Sequence, residues 1–91
     1  MAVRDIGWTE IAANQSTEWL VHGFTANEAV TFTIVVFPGI GPGVPFPLGR
    51  AAITEVESLQ FYGTKAYVIH IQNRAAFSSC DVHLLAMVES F

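Results

Sequence analysis

Basic residues are scarce in this 91-residue chain. Arg4, Arg50, Lys65 and Arg74 stand against eight acidic residues, for a net charge of −4. They are scattered, so no stretch can neutralise a run of phosphates, and no nucleic-acid partner is expected. No polybasic segment would draw the chain to anionic lipid. Cysteine is nearly lacking: Cys80 stands alone, which rules out an internal disulfide. No run approaches the roughly 18 uninterrupted apolar residues of a membrane-crossing helix, so no membrane span is expected. The opening "MAVRDIGWTE" lacks the apolar centre of a secretory signal.

Charge of either sign is thin. Charged residues make up 13% of the chain, against about 25% in ordinary soluble domains, while hydrophobic residues reach 52%. A chain this short is expected to form one domain over residues 1–91. Such a domain buries only about 60–65% of the surface its unfolded form exposes. So small an interior cannot take all of this apolar surface. The surplus is expected to lie against another copy of the chain or a partner.

Helix signals are sparse. Only Ala51–Gln60, "AAITEVESLQ", has fair helix formers, and a strand suits its surroundings better. Elsewhere short runs rich in Val, Ile, Thr, Phe and Tyr alternate with turn signals. The expected strands cover about 6–12, 17–24, 29–37, 51–61, 65–72 and 81–90. In "AVTFTIVVF", Val30, Phe32, Ile34 and Val36 share one side while Thr31 and Thr33 take the other, the period of a half-buried antiparallel strand. Six or seven such strands predict an all-β fold, a small antiparallel β-sandwich of immunoglobulin-like or jelly-roll-like character.

The last two runs can be paired as a hairpin with Ile71 facing Val82, Ile69 facing Leu84 and Tyr67 facing Ala86. This register matches core to core and sets Ala66, Val68, Leu85 and Met87 on the opposite face. Four apolar residues there form a patch, interrupted by His70 and His83; oligomer contact is expected to cover it, ahead of the alternative that the Pro/Gly tract folds back over it. In the same register the two histidines face each other, a geometry in which they could hold Zn²⁺ with His22 as a third ligand.

All four prolines, and four of the seven glycines, fall in "FPGIGPGVPFPLG". Missing amide donors bar this tract from a central strand. It also carries Ile40, Val44, Phe46 and Leu48, which a purely solvated loop has little use for, so an end cap for the sandwich is expected, or else an arm onto a neighbouring subunit, or last a ligand-contacting or membrane-dipping loop.

Catalytic signatures are absent from the readable pattern. Glu55 and Glu57, two apart on a strand, share a face but do not flank a substrate. Asp81 beside Cys80 opposes thiolate formation, and Ser78 and Ser79 lack a nucleophile elbow. Trp19 alternates with Val21 and belongs to the core. Trp8, near Glu10 and Asn14, is expected to be exposed, and tryptophan is a common sugar platform.

The expected function is therefore non-enzymatic, with no catalytic residue and no cofactor: a homo-oligomeric β-sandwich acting in self-assembly or recognition. Its contacts are expected at Val68, His70, His83, Leu85 and Met87 and, in the Pro/Gly loop 38–49, at Ile40, Val44 and Phe46. The alternative is a small lectin-like carbohydrate-binding module using Trp8, Glu10 and Asn14. A remoter one is a metal-binding protein using His70 and His83.

Overall fold

A computed structural model of the chain describes residues 2–38, 50–76 and 78–91. The expected contact residues Ile40, Val44 and Phe46 lie outside the described residues. Six strands are present among those described: β1 (Ala2–Ile11), β2 (Ser16–Phe24), β3 (Glu28–Pro38), β4 (Ala51–Phe61), β5 (Thr64–Asn73) and β6 (Cys80–Ser90). Each overlaps an expected run, although β1 begins four residues before its expected start at 6, and Ala51–Gln60 is strand. The strands form two three-stranded antiparallel sheets, ordered β1-β6-β3 and β2-β5-β4, packed as a β-sandwich.

This order corrects the expected final hairpin. β5 and β6 do not pair. Each is the central strand of its own sheet, with β6 bonded to β1 and β3, and β5 bonded to β2 and β4. Ile69, Ile71, Leu84 and Val82 do meet in one interior, as the core-to-core matching implied, but across the sandwich rather than along a ladder. Alternation decides which side chains share a side. It does not decide which strand lies next door.

The interior follows from that alternation. Tyr67, Ile69, Ile71 and Asn73 of β5 are buried opposite Cys80, Val82, Leu84, Ala86 and Val88 of β6. Val30, Phe32, Ile34 and Val36 of β3 pack against them, as their period predicts. Fully burying one Val, Leu or Ile contributes about 1.5–3 kcal/mol, so the two central strands dominate the stability. Phe24, Phe32 and Tyr67 close one end as an edge-to-face trio, with centroids 5.2 to 6.5 Å apart.

The other end is held by Asn73, the buried polar side chain among the described residues. Its Nδ2 donates to the carbonyls of Ile11 (2.9 Å), Ala12 (3.3 Å) and Ser78 (2.9 Å), and its Oδ1 accepts from the Ala75 amide at 2.9 Å. The Asn73 amide itself donates to Gln15 O, and that of Arg74 to Arg50 O. One amide side chain thus joins the β1–β2 corner to the loop leading into β6.

Three of the four edge strands carry a bulge: β1 between Asp5 and Gly7, β2 between Val21 and Phe24, and β4 between Ile53 and Glu55. Each extra residue twists the edge and reverses the alternation beyond it. In β1 the reversal is needed for the site described next. Gly7, at φ +146°, lies under the Trp19 ring, where an added Cβ would come within 3.1 Å of the nearest ring atom.

Candidate functional site

Directly opposed residues of an antiparallel pair share a face. Across the outer side of the β1-β6-β3 sheet this gives four rows: Val3, Met87, Thr31; Asp5, Leu85, Thr33; Trp8, His83, Val35; and Glu10, Asp81, Phe37. Val3, Trp8, Val35 and Phe37 are exposed, with Trp8 at 55%. Leu85 and Met87 between them are half-buried. The Trp8 ring stacks on His83 (centroids 4.2 Å apart, planes 18° apart) and meets Phe37 at 5.0 Å. His83 Nε2 donates to the Asp5 carboxylate. The result is an apolar and aromatic surface around the Asp5–His83 pair, with the exposed carboxylates of Glu10 and Asp81 at one end.

Strict alternation would set Asp5 and Trp8 on opposite sides of β1. The Gly7 bulge brings both outward, so the Asp5–His83–Trp8 group depends on that irregularity. Val35 and Phe37 join the face because β3 keeps its alternation after its outer residues change from threonine to Val and Phe.

The outer side of the β2-β5-β4 sheet differs. Its rows are Ser16, Gln72, Ala52; Glu18, His70, Glu55; and Leu20, Val68, Glu57. Here Glu18, Glu55 and Glu57 are exposed, and the Glu18 carboxylate lies 3.8 Å from His70 Nδ1. Further along, His22 of β2 and Phe61 of β4 meet at 4.8 Å. These strands flank β5, so the two rings pass over it.

The expected contact residues are therefore divided. Val68 and His70 lie on one outer face, and His83, Leu85 and Met87 on the other. His70 and His83 do not face each other, because β5 and β6 belong to different sheets and both side chains point away from the interior. No group of three or more His, Cys, Asp or Glu that could hold a metal occurs among the described residues. Ala66, expected on an exposed patch, is fully covered, with Leu59 beside it and the His22–Phe61 pair across that end of β5.

Of the expected ligand residues, Trp8 and Glu10 share the β1-β6-β3 outer face. Asn14 does not: it sits in the β1–β2 turn at φ 58°, its amide donating to Ala75 O. Trp19 faces inward against the core, as expected. Cys80 is buried at the start of β6, and burial, then the neighbouring Asp81 charge, push its thiol pKa up. Glu55 and Glu57 share the wet outer face of β4, consistent with an edge kept from unwanted pairing.

A recess of about 590 Å³ opens beside the β4–β5 hairpin, lined by Phe24, Thr25, Ser58, Gln60, Thr64 and Lys65 among others. One Lys65 N–H is engaged by Glu28 O at 2.9 Å. No helix among the described residues is long and apolar enough to cross a membrane. Comparison of the chain with protein families, curated proteins and solved structures returned no match.

Proposed function

We propose that this protein is a self-assembling β-sandwich whose copies meet through the outer face of the β1-β6-β3 sheet. The observation that carries this reading is the contrast between the two outer faces. One presents Val3, Trp8, Val35, Phe37, Leu85 and Met87 beside the carboxylates of Asp5, Glu10 and Asp81, and the other presents Leu20 and Val68 among three glutamates; the first has much the larger apolar and aromatic share. Contiguous exposed apolar surface of this kind marks an interaction site. In its middle the Asp5 carboxylate already accepts a hydrogen bond from His83, and Glu10 and Asp81 lie at its end. Trp8, packed on His83 and Phe37, is the kind of aromatic anchor that carries most of the energy of a contact.

Light scattering behind a sizing column decides the matter. The expected mass is a multiple of 9.9 kDa, and a 9.9 kDa particle at every concentration would overturn the proposal. One observation favours a second reading, a lectin-like glycan site: the exposed Trp8 ring is flanked by the Glu10 and Asp81 carboxylates one row away, which could accept hydroxyl protons. Glycan-array binding that vanishes in Trp8→Ala would support it.

A further inference from the structure

The four edges of the two sheets are built differently. β1, β2 and β4 each carry a bulge. They also carry charge along their length: Arg4, Asp5 and Glu10 on β1, Glu18 on β2, Glu55 and Glu57 on β4. Bulges and charges are the devices that keep an edge from pairing with another chain. β3 has no bulge. Its eleven residues keep one register against β6, from Glu28 opposite Ser90 to Pro38 opposite Cys80. Glu28, at the first position, is its one charged residue. Among the described residues no strand bonds its other edge, toward which about half of its residues turn their N–H and C=O groups. We infer that a second copy pairs there, with β3 lying antiparallel on β3 of its mate about a two-fold axis through Thr33. The contact is at an edge of the sheet rather than on its face, and stands apart from the assembly reading above.

The occupant follows from the strand's own sequence. In an isologous contact the same strand serves on both sides. Centred on Thr33, the pairing sets Val30 opposite the mate's Val36, Phe32 opposite Ile34, Thr31 opposite Val35 and Ala29 opposite Phe37. Each position meets one of like parity, so inward side chains meet inward ones and outward meet outward. β-branched and aromatic residues fill most of these places, and such cross-strand pairs stabilise a sheet. Glu28 falls at the far end, opposite Pro38, so no two charges meet.

Burial agrees with a partner at this edge. Val30, Phe32, Ile34 and Val36 point into the sandwich, yet all four stay half-buried. Their neighbours on β6, Val82, Leu84 and Ala86, are fully covered. A second β3 alongside closes the open flank of that row with its own apolar row. β4, across the sandwich from β3, turns Glu55 and Glu57 to the outer face, so they stay in water. The two β1-β6-β3 sheets become one six-stranded sheet.

Cysteine placement tests the pairing. In a Cys80→Ala background, Val30→Cys and Val36→Cys are oxidised separately and as a mixture left to exchange, then run on a denaturing gel without reductant. Both side chains point inward, so no contact between outer faces can join them. Opposed residues of an antiparallel pair have Cα atoms about 4.5–5.5 Å apart, within reach of a disulfide. The expected result is a covalent dimer from the mixture and none from either variant alone, since like positions lie six residues apart across the pair, about 20 Å. Thr33→Cys, which meets its own mate at the centre, is expected to dimerise by itself and stands in should a valine variant fail to fold. Sheets stacked face to face hold their backbones about 10 Å apart, too far for that bond. No product from the folded variants, or a product from either valine variant alone, would overturn the paired edge. No product together with a native mass above 9.9 kDa would remove the edge contact and keep the face contact. A β3-linked dimer whose native mass Leu85→Lys leaves unchanged would do the reverse.

Discussion

Asn73 illustrates how one polar residue can organise the end of a small fold. Its carboxamide bonds three carbonyls and one amide at a fully buried position, and no hydrophobic residue can replace those bonds. Asn73→Leu has nearly the same volume but strands several groups, each costing about 1–3 kcal/mol when left unpaired. The expected loss exceeds about 3 kcal/mol and is read from the urea midpoint. The sequence gives little warning of this role, because "QN" at the end of a strand looks like ordinary turn chemistry. What distinguishes Asn73 is the convergence of the Ile11–Ala12 corner and the Ser78 loop on it, and these are distant in the chain.

At the scale of elements, the β4–β5 hairpin holds a local conflict. Tyr62 and Gly63 both have positive φ, 49° and 77°, as a type I′ turn requires, and that turn favours Asn-Gly. Tyrosine in this region costs about 1–2 kcal/mol. Its edge contact with Phe61 returns about 0.5 kcal/mol at so exposed a place. The backbone term is the larger, so Tyr62→Asn is expected to raise stability by about 0.5–1 kcal/mol in thermal unfolding.

The Thr25–Glu28 turn behaves differently. The Thr25 amide donates to Glu28 Oε1 at 2.7 Å and holds the Glu28 carboxyl below its ordinary pKa of 4.5. A depressed carboxyl stabilises the fold above its ordinary value, and the contribution disappears as pH falls through the lowered one. The stabilities of the wild type and Glu28→Gln are therefore expected to differ slightly near neutrality and to converge as pH falls through the lowered Glu28 value, as measured by denaturant unfolding across pH.

Strand positions were legible because each run alternates between turn signals, and the buried stripe of β3 was legible for the same reason. The bulges were not. A glycine inside a strand, such as Gly7, is a cue for one, but the consequence is specific: it sets Asp5 and Trp8 on the same side as His83. Val35 and Phe37 were hidden by the two threonines before them, although the same alternation, carried two steps further, exposes both.

At the scale of the whole molecule, pairing of β5 with β6 would have put Val68 and Leu85 on one surface, and substitution of either would then matter equally. The sheet order separates them. Leu85→Lys is expected to yield smaller, folded particles, whereas Val68→Glu, already beside Leu20 and Glu57, is expected to leave the assembly size unchanged. Sedimentation of the two variants beside the wild type checks this. An equal effect from both would place the contact on the wrong sheet. A six-strand all-β chain was readable from the sequence, but the partition of its strands was not, since either arrangement keeps the same side chains out of water.

That partition has a kinetic consequence. Of the five connections between successive strands, only β4 to β5 stays within one sheet; the other four carry the chain from one layer to the other. Neither layer is a continuous piece of sequence. The strand nearest the amino terminus must wait for the one nearest the carboxyl terminus before it gains a ladder at all. A chain laced in this way gathers its native contacts over long loops, which puts its refolding in the slow, millisecond-to-second class of small all-β proteins. Cut between β2 and β3 or between β3 and β4, it yields two fragments, neither of which holds a complete layer.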